Sequence, residues 1–142
     1  MNQLLTPPLV VEQYIQIPRP KPDAFALLAD PALISGWMPV VEFEPCVGGR
    51  LVLSDEELRV EGEVITFDPP RGLAYTWELD DASPGERSEV RWDLGSLGAG
   101  TVVHLTHAGF GDAEQRARHG RAWARWVEAL VSRTRGERTW IG

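Results

Sequence analysis

The hydrophobic pattern changes its period once along this chain, near residue 112, and that change restricts the fold more than any other feature. Before it, apolar side chains recur at every second position. Val90, Trp92 and Leu94 oppose Glu89, Arg91 and Asp93, while Leu73, Tyr75, Trp77 and Leu79 oppose Thr76 and Glu78. Alternation of this kind belongs to antiparallel strands with one dry face and one wet face. After it, from about Ala113 to Arg135, the spacing is helical, and Gly136 is the expected stop. His119, Gly120, Trp123, Trp126, Val127, Leu130 and Val131 fall within one arc of that helix, with Arg118, Arg121, Arg125 and Glu128 opposite.

The remaining elements follow from local signals. Val11, Gln13, Ile15 and Ile17 share a face of a first strand that stops at Pro18 and Pro20. Pro22 to Leu28 reads as a short helix with an early proline, and Asp30 to Ile34 as a second one with Asp30 as N-cap and Pro31 in the first position. That second helix is expected to end near Gly36 and Trp37. Further strands are expected at Val40–Glu44, Arg50–Ser54, Arg59–Phe67, Leu73–Leu79, Glu89–Leu94 and Thr101–His107, separated by glycine, proline and acidic turns. The whole is an α+β arrangement: a curved antiparallel sheet of about seven strands wraps a long C-terminal helix.

Composition excludes several alternatives. The 142 residues suit a single domain spanning 1–142, and 43% apolar with 25% charged residues is ordinary for a globular protein. Cys46 is the single cysteine, so no internal disulfide forms, which fits a reducing compartment. No apolar run reaches the ~20 residues that span a bilayer, and the N-terminus lacks a basic start, so no membrane association and a cytoplasmic location are expected. A net charge of −7 argues against nucleic-acid binding. That charge is uneven: residues 1–111 carry 17 acidic and 7 basic side chains, and residues 112–142 carry 4 acidic and 7 basic ones.

Several stretches, in this order, resemble one known family. They are Pro22 to Trp37 with its Phe25-Ala26-Leu27-Leu28-Ala29-Asp30-Pro31, then Val47-Gly48-Gly49-Arg50-Leu51, then Glu61-Gly62-Glu63-Val64 followed by Asp68 to Trp77. Gly100 to Phe110 and the later Trp123, Val127 and Leu130 complete the match. The chain resembles the AHSA family, the activator of heat-shock-protein-ninety ATPase homologues, within the SRPBCC (START-like) superfamily. One departure is visible: Ala122 precedes Trp123 where the family usually has glycine, and Gly120 lies two residues before it. The resemblance implies a helix-grip fold, like that of START domains and birch-pollen allergens. It also implies a scaffold whose members bind hydrophobic ligands, act as co-chaperones in stress responses or, in a minority, catalyse cyclisations. Fold alone does not choose among them.

The candidate site residues are those expected to face the space between sheet and helix. Trp37, Tyr75, Trp77, Trp92, Phe110 and Trp123 supply an aromatic lining, with Val127 and Gly120 on the helix and His107 as a polar group at the edge. An apolar pocket with a few polar groups is the default small-molecule site. A hollow of this kind makes Trp123→Ala cheaper than the ~3–5 kcal/mol of an ordinary buried aromatic truncation. His104 and His107 lie three apart on a strand and point to opposite faces, so no metal site is expected. No Gly-x-Ser-x-Gly elbow, phosphate loop or Cys–His pair is present, and neither a cofactor nor catalysis is expected, although Tyr75 and His107 have the chemistry to exchange protons in a closed pocket. The expected function is a binding module for an apolar small molecule. A chaperone partner whose ATPase is stimulated is the alternative, and a cyclase-like enzyme ranks last. An exposed first or last strand able to pair across a two-fold axis, with Trp140 able to bury at such a contact, suggests a homodimer.

Overall fold

Proline sets the first boundaries of the chain. The computed structural model describes residues 9–81 and 86–141, the last six of these by backbone alone. Strand β1 (Val10–Ile17) ends at Pro18, and Pro20 caps helix α1 (Lys21–Ala29), which carries a proline in its first turn. Helix α2 (Pro31–Ile34) follows at once because the Asp30 carboxylate accepts the Ala32 amide proton at 2.9 Å, an N-cap in the expected place. Strands β2 (Val40–Phe43), β3 (Arg50–Ser54), β4 (Arg59–Asp68), β5 (Gly72–Leu79), β6 (Ser88–Leu97) and β7 (Gly100–Ala108) then lead into helix α3 (Ala113–Ile141).

The strands form one antiparallel sheet of seven in the order β1-β7-β6-β5-β4-β3-β2. Every neighbour but one is also a neighbour in sequence. The exception is β1, which pairs with β7 from Val10 opposite Ala108 to Ile17 opposite Thr101. The first and second strands therefore lie at opposite edges, and α1 and α2 connect them. The dry face holds the alternating side chains read from the sequence: Leu73, Tyr75 and Trp77 from β5, Val90, Trp92 and Leu94 from β6, and Val103, Leu105 and His107 from β7. Helix α3 covers this face with His119, Ala122, Trp123, Trp126, Val127, Leu130 and Thr134. This is the helix-grip architecture.

Two details differ from expectation. Helix α3 runs past Arg135 and through Gly136 to Ile141. An interior glycine costs a helix only about 1 kcal/mol, so it is a weak stop when nothing after it forces a turn. The side chains of that tail, including Trp140, lie outside the described residues. The acidic turn at Asp55 to Glu57, which reads from sequence as a solvated hairpin tip, is instead reached by α3: Arg125 pairs with Glu57 at 3.1 Å and Asp55 at 3.7 Å, and Arg118 donates to the Glu57 carbonyl. Much of the basic outer face of the helix is thus spent on the protein's own acidic loop.

The register slips between Val64 and Thr66 on β4 and between Val40 and Glu42 on β2, irregularities of the kind that bend a strand. Just before the first of these slips, Gly62 meets β5 so closely that a Cβ would overlap the Thr76 carbonyl oxygen. The neighbouring Glu63 amide donates to the Thr76 hydroxyl at 2.9 Å. Gly62→Ala is therefore expected to cost about 1–3 kcal/mol by overpacking, read as a lower urea midpoint with an unchanged slope.

Candidate functional site

Buried indoles dictate the chemistry of the core. An indole N–H donates and never accepts, so each buried tryptophan needs an acceptor. Trp37 donates to the Leu27 carbonyl at 2.8 Å and Trp92 to the Tyr75 hydroxyl at 2.9 Å. Trp77 on β5 donates to His119 Nε2 at 3.1 Å, and Trp123 on α3 donates to His107 Nδ1 at 2.9 Å. These last two bonds fix both tautomers. His119 must carry its proton on Nδ1, from which it donates to the Gln115 carbonyl at 2.8 Å. His107 must carry its proton on Nε2, from which it donates to Ser88 Oγ at 2.7 Å. Ser88 in turn donates to the Trp77 carbonyl at 3.3 Å.

The two histidines are buried and neutral. Burial pushes the His107 pKa well below its ordinary 6.5, with the nearby His119 adding to the effect. Burial also lowers His119, partly offset by its bond to the Gln115 carbonyl. Protonating either ring places a proton on the nitrogen that an indole N–H already occupies. Burial likewise raises the pKa of the Tyr75 hydroxyl, so it stays a neutral partner for Trp92.

The Ser88–His107 pair has the separation of a nucleophile and its base but the opposite polarity. A base needs its free lone pair toward the serine, and here that lone pair faces Trp123. Ser88 is a polarised hydroxyl and not a nucleophile. Among the described residues no three histidine, cysteine or acidic side chains gather in a metal-binding group. His104 points to the outer face, where it bonds Glu12 at 2.6 Å and stacks on Tyr14.

A cleft opens where β5, β6 and the β7–α3 connection meet the first turns of α3. Trp77, Leu79 and Phe110 form its apolar wall, with Ser88, Gln115 and His119 converging on it and Glu86 and Arg87 at its mouth. Gly109, at φ +101°, turns the chain from β7 toward α3 there, and a Cβ on it would press Ser88 at 3.2 Å. The cleft holds about 30 Å³ of free space, room for one or two waters. An adjoining groove of about 450 Å³ shares Arg87, Ser88 and Gly109 with it. The Gln115 side-chain oxygen is buried here with no hydrogen-bond partner among the described residues.

Of the residues singled out from sequence, Trp77 and Phe110 line this cleft. His107 stands directly behind it, with its ring centroid 4.4 Å from that of Phe110, and Trp123 lies behind His107. Trp37, Tyr75, Trp92 and Val127 do not line it. They belong to the core, where Trp37 and Trp92 meet edge to face at 5.9 Å. Gly120 sits on the shoulder of α3, where an added Cβ would find ordinary contacts with Arg116 and Val11. Sequence reasoning did not single out Ser88, Gln115 or His119 as site residues. His119 carried a usable signal, since it lies four residues before Trp123 on the same helix face.

The family model described as "Activator of Hsp90 ATPase homolog 1-like protein" matches residues 19–134. The chain belongs to this family. Its AHSA1 domain is similar to a crystal structure of a Mesorhizobium loti protein, with 29% identity, a TM-score of 0.73, and 85% of this chain and 93% of that one covered. It also resembles an Hsp90 activator from Plasmodium falciparum, with 18% identity, a TM-score of 0.70, and 85% and 92% covered. The solution structure of an Aha1 dimer from Colwellia psychrerythraea is similar too, at 16% identity and a TM-score of 0.70 over 85% and 92% of the two chains. The last two likenesses carry the fold alone. No curated protein matches the chain.

Two outcomes follow for the AHSA1 core. Trp123 is fully buried with its ring against those of Trp77, Trp92 and Trp126, so it has no hollow behind it. Trp123→Ala is expected to cost the full ~3–5 kcal/mol in chemical denaturation, more than the sequence expectation of a hollow wall. The histidines set a pH dependence. Their folded pKa values lie below the ordinary 6.5, so the unfolded chain binds the extra protons. Their stabilisation is present above that pH and is lost as pH falls beneath it, with a slope approaching 1.4 kcal/mol per pH unit from His107. Tm is expected to fall between pH 7 and about 5. His107→Gln keeps a partner for both Trp123 and Ser88 but does not titrate, and should flatten the fall.

Proposed function

We propose that this AHSA1 domain is a small-molecule binding module whose ligand lies in the cleft beside Trp77 and Phe110 and extends over the adjoining groove. One observation carries this reading: an apolar wall of Trp77, Leu79 and Phe110 faces a few converging polar groups, the usual composition of a ligand site. The cleft alone is too small for a ligand, so the rest of the molecule would lie over the open, largely polar groove around Thr76, Arg87 and Glu89. In this reading the ligand lies at the end of the sheet, and Trp37, Tyr75 and Trp92 are the support behind it.

A second reading draws on the family description and on the Hsp90 activator among similar folds. In it the domain stimulates a chaperone's ATPase through its surface, and the cleft is incidental. The two readings separate in solution. Titration with apolar aromatic compounds, including flavonoids and polyketides, is expected to quench or shift tryptophan emission. Phe110→Ala should weaken that binding by about tenfold, the effect of losing roughly one aromatic contact. Stimulation of the host chaperone's ATPase, with no compound bound, would reverse the ranking.

A further inference from the structure

Among the described residues one hydroxyl lines the cleft, and its bonding is set by residues deep in the core. Trp123 is fully buried and can only donate, so His107 Nδ1 accepts and His107 Nε2 donates to Ser88. Ser88 Oγ therefore receives a 2.7 Å bond from a ring that cannot turn its polarity around. A hydroxyl that accepts a hydrogen bond becomes a stronger donor and a poorer acceptor of a second one. Its own proton is poorly used. The Trp77 carbonyl lies 3.3 Å away, beyond the usual 2.5–3.0 Å for an O–H···O bond. Ser88 borders both the cleft and the groove, so a ligand oxygen at normal distance would draw that proton away from Trp77.

We propose that the site takes an aromatic molecule bearing a hydrogen-bond acceptor oxygen, an aryl ketone or related carbonyl compound, and that the Ser88 hydroxyl reads that oxygen. The inference rests on the cleft being the binding site and adds the chemical class of the ligand. The relay from Trp123 through His107 to Ser88 orients a donor toward the ligand without charge, so it favours a neutral carbonyl. No bond is made or broken. Ser88 and His107 act by positioning and polarising, and the indole at the far end keeps the polarity from reversing.

Acetylnaphthalene and its isostere isopropenylnaphthalene differ only in the carbonyl oxygen, and their affinities can be compared by tryptophan fluorescence. The wild-type protein is expected to hold the ketone about tenfold more tightly, as one hydrogen bond from a polarised donor implies. Ser88→Ala should erase that preference while leaving the affinity for the isostere in place, and Ser88→Thr should keep the preference. The Trp123 indole resonance in heteronuclear NMR should move with the ketone and not with the isostere. Equal affinities in the wild type, or a preference that survives Ser88→Ala, would overturn the assignment of Ser88 and leave the cleft as a binding site. Binding of neither compound would remove the cleft reading itself and this inference with it.

Discussion

Donor-only indole groups impose the order of this core. Burying an N–H without an acceptor costs about 1–3 kcal/mol, and four buried tryptophans here each find one. Two of the acceptors are histidine nitrogens, which accept only while unprotonated. The aromatic cluster thus fixes the charge and tautomer of His107 and His119 and the direction of the side-chain bonds they make to Ser88, Trp77 and Trp123. It does so across elements far apart in sequence, since Trp77 and His119 are 42 residues apart. The helix is held to the sheet by polar bonds as well as by apolar area.

This polarity also decides which part the Ser88–His107 pair can play. A serine at 2.7 Å from a histidine invites a nucleophilic reading, and distance alone would support it. The third partner decides otherwise. A carboxylate behind the imidazole would draw the proton to the far nitrogen and free the near one as a base, whereas an indole does the reverse. Fold membership cannot make that distinction, because the same grip of sheet on helix serves unrelated activities.

Most of the architecture was legible in the chain because it rests on local signals. The Asp30 cap with Pro31, the period-two faces of β5 and β6 and the buried arc of α3 are written in neighbouring residues, and Arg50–Ser54 was placed to the residue. The site was less legible. Trp77 and Phe110, singled out from sequence, line the cleft, but Ser88 reaches it by standing opposite Trp77 in the register, which no single strand reveals. Gln115 and His119 enter through the rotation of α3 against the sheet. The expected hollow among Trp92, Trp123 and Tyr75 is occupied by those rings themselves, since side-chain volume cannot be compared with available space until the elements are docked. The end of α3 was misjudged because Gly136 is only a weak terminator.

The pairing of the first strand with the last has a consequence for how the chain acquires its structure. Val10 finds its partner only at Ala108, so nearly the whole sheet must be made before β1 has a neighbour. During synthesis from the N-terminus, strands β2 to β7 can assemble by successive hairpins, each closing a short loop. Strand β1 must wait, with its apolar face of Val11, Ile15 and Ile17 exposed, until β7 leaves the ribosome. Helix α3, which follows β7 directly and reaches back through Arg116 to the Val10 carbonyl, then seals the same edge. The pairing of β1 with β7 joins the strands farthest apart in sequence, and contacts of that kind slow folding in general.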